Sequence, residues 1–357
     1  MGPGPSDIHP RVLNAIGKGT VGHLDPYYLE TMNNLQEMLR KVFKTENELT
    51  MAISATGSAG METTVVNLIE PGDKMLVCIN GVFGMRMADL AIRCGANVMK
   101  VEAPWGEIIR PEQVKEAVAG KSPKLIALVH AETSTGALTP AEEISKIAHD
   151  AGALMLLDTV TSLGGCEVDI DGWSIDAVYS GTQKCLSCPP GLAPVSLSPK
   201  ALKIANNRKT QVQSWYLDVN LLSGYWGTER VYHHTAPISM NYALHESLRL
   251  VLEEGLQTRW ARHKANHEKL AAGLKKLGLG IASQEGHQLW QLNAVTVPEE
   301  TDEAQVRKRL LEEYQIEVGA GLGPMKGKIW RVGLMGESST AENVDRYLDA
   351  MTQILAH

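Results

Sequence analysis

Between Met51 and about Val195, short apolar runs alternate with amphipathic segments, and this alternation restricts the chain to few architectures. The runs Met75–Ile79, Asn97–Val101, Lys124–Val129, Ala153–Leu157, Ala177–Tyr179 and Leu192–Leu197 have the length of buried strands. Helical patterns fill the gaps over Ala59–Leu68, Met85–Arg93, Pro111–Ala119 and Ala141–His149. Apolar strands separated by helices predict crossover units and a mostly parallel sheet covered on both faces. Sites in such sheets lie beyond the carboxyl ends of the strands. After Pro237 the texture changes. Met240 to about Leu277 reads as long helix broken near Gly255, followed by a strand around Asn293–Val297 and a helix over Asp302–Glu313. A short strand near Ile316–Val318 and a closing helix after Ser339 complete the pattern. The expectation is an α/β large domain over residues 1–254 and a smaller C-terminal α+β domain over 255–357.

A chain of 357 residues can bury two such cores, and its net charge of −7 without a long basic run argues against nucleic acid or an anionic membrane as partner. No apolar run reaches the length of a membrane span. The opening Met1-Gly-Pro-Gly-Pro-Ser6 lacks the features of a secretion signal and the closing Ala-His is no peroxisomal tripeptide, so a cytoplasmic setting is expected. Five cysteines, an odd number, do not read as a disulfide framework. Cys185-Leu-Ser-Cys188 has redox spacing, but Pro189-Pro190 follows where a redox motif opens a helix. These read as small semi-buried residues.

The run from Ala153 ends in Asp158, and the next strand leads into Ser180-Gly-Thr-Gln-Lys184. A lysine able to form a Schiff base and a carboxylate able to keep a ring nitrogen protonated are the chemical minimum for a pyridoxal-phosphate (PLP) enzyme. Partial burial beside a cation would lower the amine's pKa and make it a nucleophile. Thr56-Gly57-Ser58-Ala59-Gly60, between a strand over Thr50–Ser54 and a helix, suits a phosphate, although such turns also serve as plain caps. Phe83, flanked by glycines at a strand-end loop, is placed either to stack on a pyridine or to pack in the core. In His130-Ala-Glu-Thr-Ser-Thr-Gly136, Thr133 is the candidate hydrogen-bond donor to a cofactor and Glu132 a cap or structural carboxylate. Arg331, in an apolar setting, suits bidentate capture of a substrate carboxylate, against the alternative of a buried ion pair. Two motifs are set aside. Gly319-Ala-Gly-Leu-Gly323 lacks a following helix, and the adjacent His233 and His234 would point to opposite faces of a strand, so no metal site is expected.

These residues together resemble the class V aminotransferases of the alanine–glyoxylate / serine–pyruvate family. The likeness runs from Gly2-Pro-Gly-Pro-Ser6 and Gly22-His-Leu-Asp-Pro26 through Ser162-Leu-Gly-Gly165, Gln183-Lys184 and Pro189-Pro-Gly191. It continues through Tyr232-His-His-Thr235, Gly321-Leu-Gly-Pro324 and Arg331-Val-Gly-Leu-Met-Gly336. The resemblance implies a fold-type I PLP enzyme, a homodimer with shared active sites, acting on small amino acids and 2-oxo acids. It implies Lys184 as the Schiff-base lysine, Asp158 as the ring-nitrogen partner and Thr133 on the ring hydroxyl. Gln183 and Thr56-Gly57-Ser58 would hold the phosphate, joined by Tyr232 and Thr235 from the neighbouring subunit. Val160 would pack on the ring face opposite Phe83, and Arg331 would bind the substrate carboxylate. Phe83 stands where a family member has tryptophan, and an amino-terminal arm that some relatives wrap around the partner is expected to be short. Transamination of 3-hydroxykynurenine is a competing reading on the same scaffold. A cysteine desulfurase or lyase ranks lower, because it wants a reactive loop cysteine.

Overall fold

A computed structural model describes residues 1–356. The chain opens with helices α1 (Pro10–Ile16) and α2 (Pro26–Phe43). Each starts with proline in its first turn and a side-chain cap, His9 on the Arg11 N–H and Asp25 on the Tyr27 N–H. Then come β1 (Leu49–Ile53), α3 (Gly57–Leu68), β2 (Lys74–Ile79), α4 (Val82–Arg93), β3 (Asn97–Glu102), α5 (Pro111–Val118) and β4 (Leu125–Val129). A two-stranded hairpin of β5 (Ala131–Glu132) and β6 (Ala137–Leu138) precedes α6 (Ala141–Asp150), β7 (Leu154–Asp158), β8 (Ala177–Tyr179) and β9 (Ala193–Leu197).

The first seven-stranded sheet has the order β1-β9-β8-β7-β4-β2-β3. From β8 to β3 every pairing is parallel, as continuous apolar runs require. β9 departs from the expected series, pairing antiparallel with both β1 and β8. No helix separates β8 from β9, so the chain turns back instead of crossing over.

Helices α7 (Pro199–Asn206), α8 (Val219–Trp226), α9 (Ile238–Glu254) and α10 (Leu256–Lys276) follow, and the break expected at Gly255 occurs there with φ of +81°. The remainder is β10 (Leu292–Thr296), α11 (Glu303–Tyr314), β11 (Gly319–Ala320), β12 (Ile329–Gly333) and α12 (Ala341–Leu355). Two features differ from the sequence pattern. The strand falls at Gly319–Ala320 rather than Ile316–Val318, and β12, which carries Arg331, forms the centre of an antiparallel sheet ordered β10-β12-β11. One apolar core runs from Val12 to Val251, and a second, around the fully buried Trp330 and Tyr347, draws on residues from Leu270 to Ile354. Residues 1–7 bridge the two. Gly333 donates its N–H to the Met1 carbonyl (2.7 Å), Ser6 its N–H to the Gln183 carbonyl (2.8 Å), and Asp7 its N–H to Ser338 Oγ (3.0 Å). Among the described residues no helix is long and apolar enough to cross a membrane.

Candidate active site

Three neighbouring strands end together. Val129, Asp158 and Tyr179 are the last residues of β4, β7 and β8 and lie in one register row. Asp158 is buried there, its Oδ1 accepting the Val160 N–H (2.8 Å) and its Oδ2 the Tyr179 hydroxyl (2.5 Å). Burial pushes this carboxyl up to about 7, and the two hydrogen bonds act in the opposite direction. Lys184 follows five residues after β8 and is 9% exposed. Burial, with the charge of Arg331 second, pulls its amine down to about 8. Its Nζ donates to the Pro3 carbonyl, and its own carbonyl accepts from Ser6 Oγ (2.7 Å).

Asp158 and Lys184 line a single cavity. Gly57, Ser58, Phe83, Thr133, Val160 and Gln183 line it as well. Thr56 is not among the lining residues; it is the exposed N-cap of α3 and makes no side-chain cap bond. Gly57 packs closely: an added Cβ would come within 3.3 Å of Gly181 Cα.

Phe83 is not in a loop, since α4 begins at Val82 and includes it. The cause is remote in sequence. Glu132 Oε2 accepts the Phe83 N–H (3.1 Å), while its Oε1 accepts the N–H (3.0 Å) and hydroxyl (2.6 Å) of Ser134. Glu132 is therefore the cap of α4. An added Cβ at Gly81 would lie 2.4 Å from the Glu132 carboxyl carbon, so no side chain fits at that approach.

Arg331 lies outside the cavity lining and reaches it through Thr133. Its Nε donates to the Ala320 carbonyl (2.7 Å) and Nη1 to the Thr133 carbonyl (3.5 Å), with no carboxylate among these partners. The buried ion pair weighed against a binding role is absent among the described residues. Tyr232 and Thr235 also lie outside the cavity. Both are exposed, and their hydroxyls are 3.4 Å apart. His233 and His234 occupy a loop rather than a strand, and they do not point apart: their Nδ1 atoms share a 2.8 Å hydrogen bond, and His234 Nε2 reaches Ser54 Oγ at 2.7 Å.

Three cavity features carry no sequence motif of their own. Arg86 lines the cavity three residues after Phe83 on the same helix, with its guanidinium carbon 5.2 Å from the Phe83 ring centroid. That i, i+3 spacing was the available signal. Tyr179 lines it too, brought beside Asp158 by the register of β7 and β8, for which the sequence carries no signal. The Pro3 carbonyl on Lys184 had none.

The residues present fit PLP. Phe83 and Val160 offer apolar walls for a flat ring, and Asp158 a buried acceptor for its nitrogen. The start of α3 offers backbone N–H groups that Thr56 leaves uncapped. Gln183 lines the same cavity, and its side-chain NH2 group can donate to a phosphate.

The family model described as aminotransferase class V matches residues 9–346. An (S)-ureidoglycine–glyoxylate transaminase from Bacillus subtilis is 39% identical over 99% of this chain and 90% of its own length. An alanine–glyoxylate aminotransferase from Rattus norvegicus is 39% identical over 100% of this chain and 87% of its own. The crystal structure of an alanine–glyoxylate aminotransferase from Nostoc sp., 48% identical, superposes with a TM-score of 0.98 over 99% of this chain and 94% of that one.

Proposed function

Because the chain belongs to the class V aminotransferases, which are PLP-dependent enzymes of fold type I, we propose that it passes an amino group from a small amino acid, alanine or serine, to glyoxylate or pyruvate. What supports this reading is the convergence of Lys184 and Asp158 on one cavity with Arg331 at its border. Glyoxylate is the acceptor named for each of the three relatives above, which favours it over pyruvate. The ureidoglycine-specific relative makes (S)-ureidoglycine a second candidate donor.

Bound PLP supplies an electron sink for the substrate's α-carbon. In the proposed roles Asp158 holds a proton on the ring nitrogen, Val160 and Phe83 enclose the ring, and Thr133 bonds its hydroxyl. Thr56, Gly57, Ser58 and Gln183 hold the phosphate. Arg331 receives the substrate carboxylate in a planar fork, which orients the α-hydrogen toward Lys184. The Lys184 amine, lowered to about 8, is in part unprotonated near neutral pH and can take that proton and return it.

Tyr232 and Thr235 are proposed to complete the neighbouring subunit's phosphate site in a homodimer. With Val231, Trp215, Tyr27 and Leu24 they belong to a set of exposed side chains of a kind that a second copy would cover. The division at residues 254 and 255 is likewise proposed as the domain boundary. A desulfurase reading loses its chemistry here, because all five cysteines are buried.

The test is a half-reaction panel. PLP-loaded protein is mixed separately with alanine, serine, (S)-ureidoglycine, aspartate and 3-hydroxykynurenine, and loss of the cofactor's aldehyde form is followed by absorbance. Alanine or serine should convert it fastest. Fastest conversion by aspartate would end the small-substrate reading.

A further inference from the structure

We propose that Tyr179 is a positioning residue that holds Asp158 as an oriented anion for the cofactor's ring nitrogen. The proposal rests on the role given above to Asp158 and adds the residue that sets it.

The geometry is specific. Tyr179 is the last residue of β8, fully buried, with its hydroxyl 2.5 Å from Asp158 Oδ2. The Val160 N–H fixes the other carboxylate oxygen at 2.8 Å. Two donors on two oxygens set the carboxylate plane, and each oxygen keeps a lone pair for a further donor. The base of the Tyr179 side chain is itself held in place. An added Cβ at Gly60 would come within 3.1 Å of Tyr179 Cβ, so α3 seats directly on this residue.

The hydroxyl matters because the surroundings oppose a charge on Asp158. Burial and the nearby Glu132 raise the carboxyl's proton affinity, while Lys184 and the Tyr179 hydrogen bond lower it. Arg86 is the cation that acts on Tyr179 itself. A carboxylate of higher proton affinity would draw the proton off a ring nitrogen and weaken the electron sink. Phenylalanine would fill the same space in β8 and leave Asp158 with a single donor.

The experiment compares Tyr179→Phe, Asp158→Asn and a chain carrying 3-fluorotyrosine at position 179, whose phenol is more acidic. In cofactor-free protein, infrared titration locates the pH at which the Asp158 carboxylic-acid band appears, the band being the one lost in Asp158→Asn. Tyr179→Phe should move that pH upward and fluorotyrosine should move it downward. With PLP bound, Tyr179→Phe should lower kcat about 10- to 100-fold, the range of one hydrogen bond to a charged group, with KM for the amino donor nearly unchanged. A titration unmoved in the fluorotyrosine chain, or in a folded Tyr179→Phe, overturns the proposal. If Asp158→Asn keeps full kcat and cofactor affinity, the role of Asp158 itself falls. If Asp158→Asn is inactive while Tyr179 replacements change nothing, only Tyr179 is misassigned.

Discussion

The floor of the cavity and the loop at Tyr232–Thr235 are built on opposite principles. On the floor, Asp158, Tyr179 and Lys184 are withdrawn from water, Asp158 tied to Tyr179 by a hydrogen bond and to Lys184 by charge. One chain supplies all of it. In the loop Tyr232 and Thr235 face solvent, and their two hydroxyls, implied to bind phosphate, meet only each other. Burial displaces proton affinities and so creates chemistry, whereas the exposed loop has surface to offer a second copy. In the roles proposed above, reactivity belongs to the floor and completion of the site to the loop.

The sharpest way to break that division is at Lys184. Replacement by alanine should reduce the half-reaction about 1,000-fold or more, the scale of a lost acid–base group, with the fold intact by circular dichroism. Borohydride reduction of PLP-loaded wild type, followed by peptide mapping, should label Lys184. A label elsewhere would move the chemistry off the floor. Next in size is Arg331→Ala, which removes a charged fork from the cavity border. A rise of about 100-fold in KM for the amino donor is expected from two charge-assisted hydrogen bonds, with cofactor affinity unchanged by titration. Arg331→Lys should recover little, because an ammonium cannot reproduce the bidentate geometry. An unchanged KM would leave Arg331 a scaffold for Ala320 and Thr133.

The loop side is sharpened by Tyr232→Phe. Loss of one phosphate hydrogen bond should weaken PLP binding about 10-fold in a fluorescence titration, while leaving the half-reaction of saturated protein nearly intact. If the loop serves a neighbouring subunit, mixing Tyr232→Phe with Lys184→Ala should yield hybrid dimers with one site that has both residues. A hybrid whose working site binds PLP no more tightly than the Tyr232→Phe parent places Tyr232 in its own subunit's site or in none.

Much of the floor was legible because parallel buried strands write themselves as apolar runs and expose their chemistry at the carboxyl ends. Asp158 ends β7, and the turn to Lys184 leaves β8, as the pattern implied. The same logic misread β9, since a strand's direction depends on what connects it. In the second sheet Ile329-Trp-Arg-Val-Gly333 is short and interrupted by a charge, and its strand state comes from pairing with β10 and β11. Phe83 reads as loop locally because its helix is capped by Glu132, 49 residues away. Tyr179 hid as a core aromatic, for its function depends on the register between two strands, which the sequence does not state.

The smallest expected effect tests the floor without any cofactor chemistry. The Asp158 carboxyl titrates at about 7 in the folded protein and near 3.8 when unfolded, so between these values the folded state binds the extra proton. Stability contributed by this group therefore falls as pH rises from 3.8 toward 7 and is constant above. Lys184 has the reverse sign. Its amine titrates at about 8 folded against 10.5 unfolded, so its burden is relieved as pH rises through that interval. Cofactor-free protein thus carries both penalties together between about pH 7 and 8. Asp158→Asn should melt about 1–2 °C higher than wild type near pH 8, the scale of about 1 kcal/mol for a chain of this length, because the asparagine amide is itself desolvated and keeps only part of the gain. The two melting curves should converge as pH falls through 7 toward 4. Saturating PLP should reverse their order at pH 8, since only the carboxylate can pair with a protonated ring nitrogen. A gap that ignores pH would mean that Asp158 titrates alike in the folded and unfolded chain, and that burial on the floor does not raise its proton affinity.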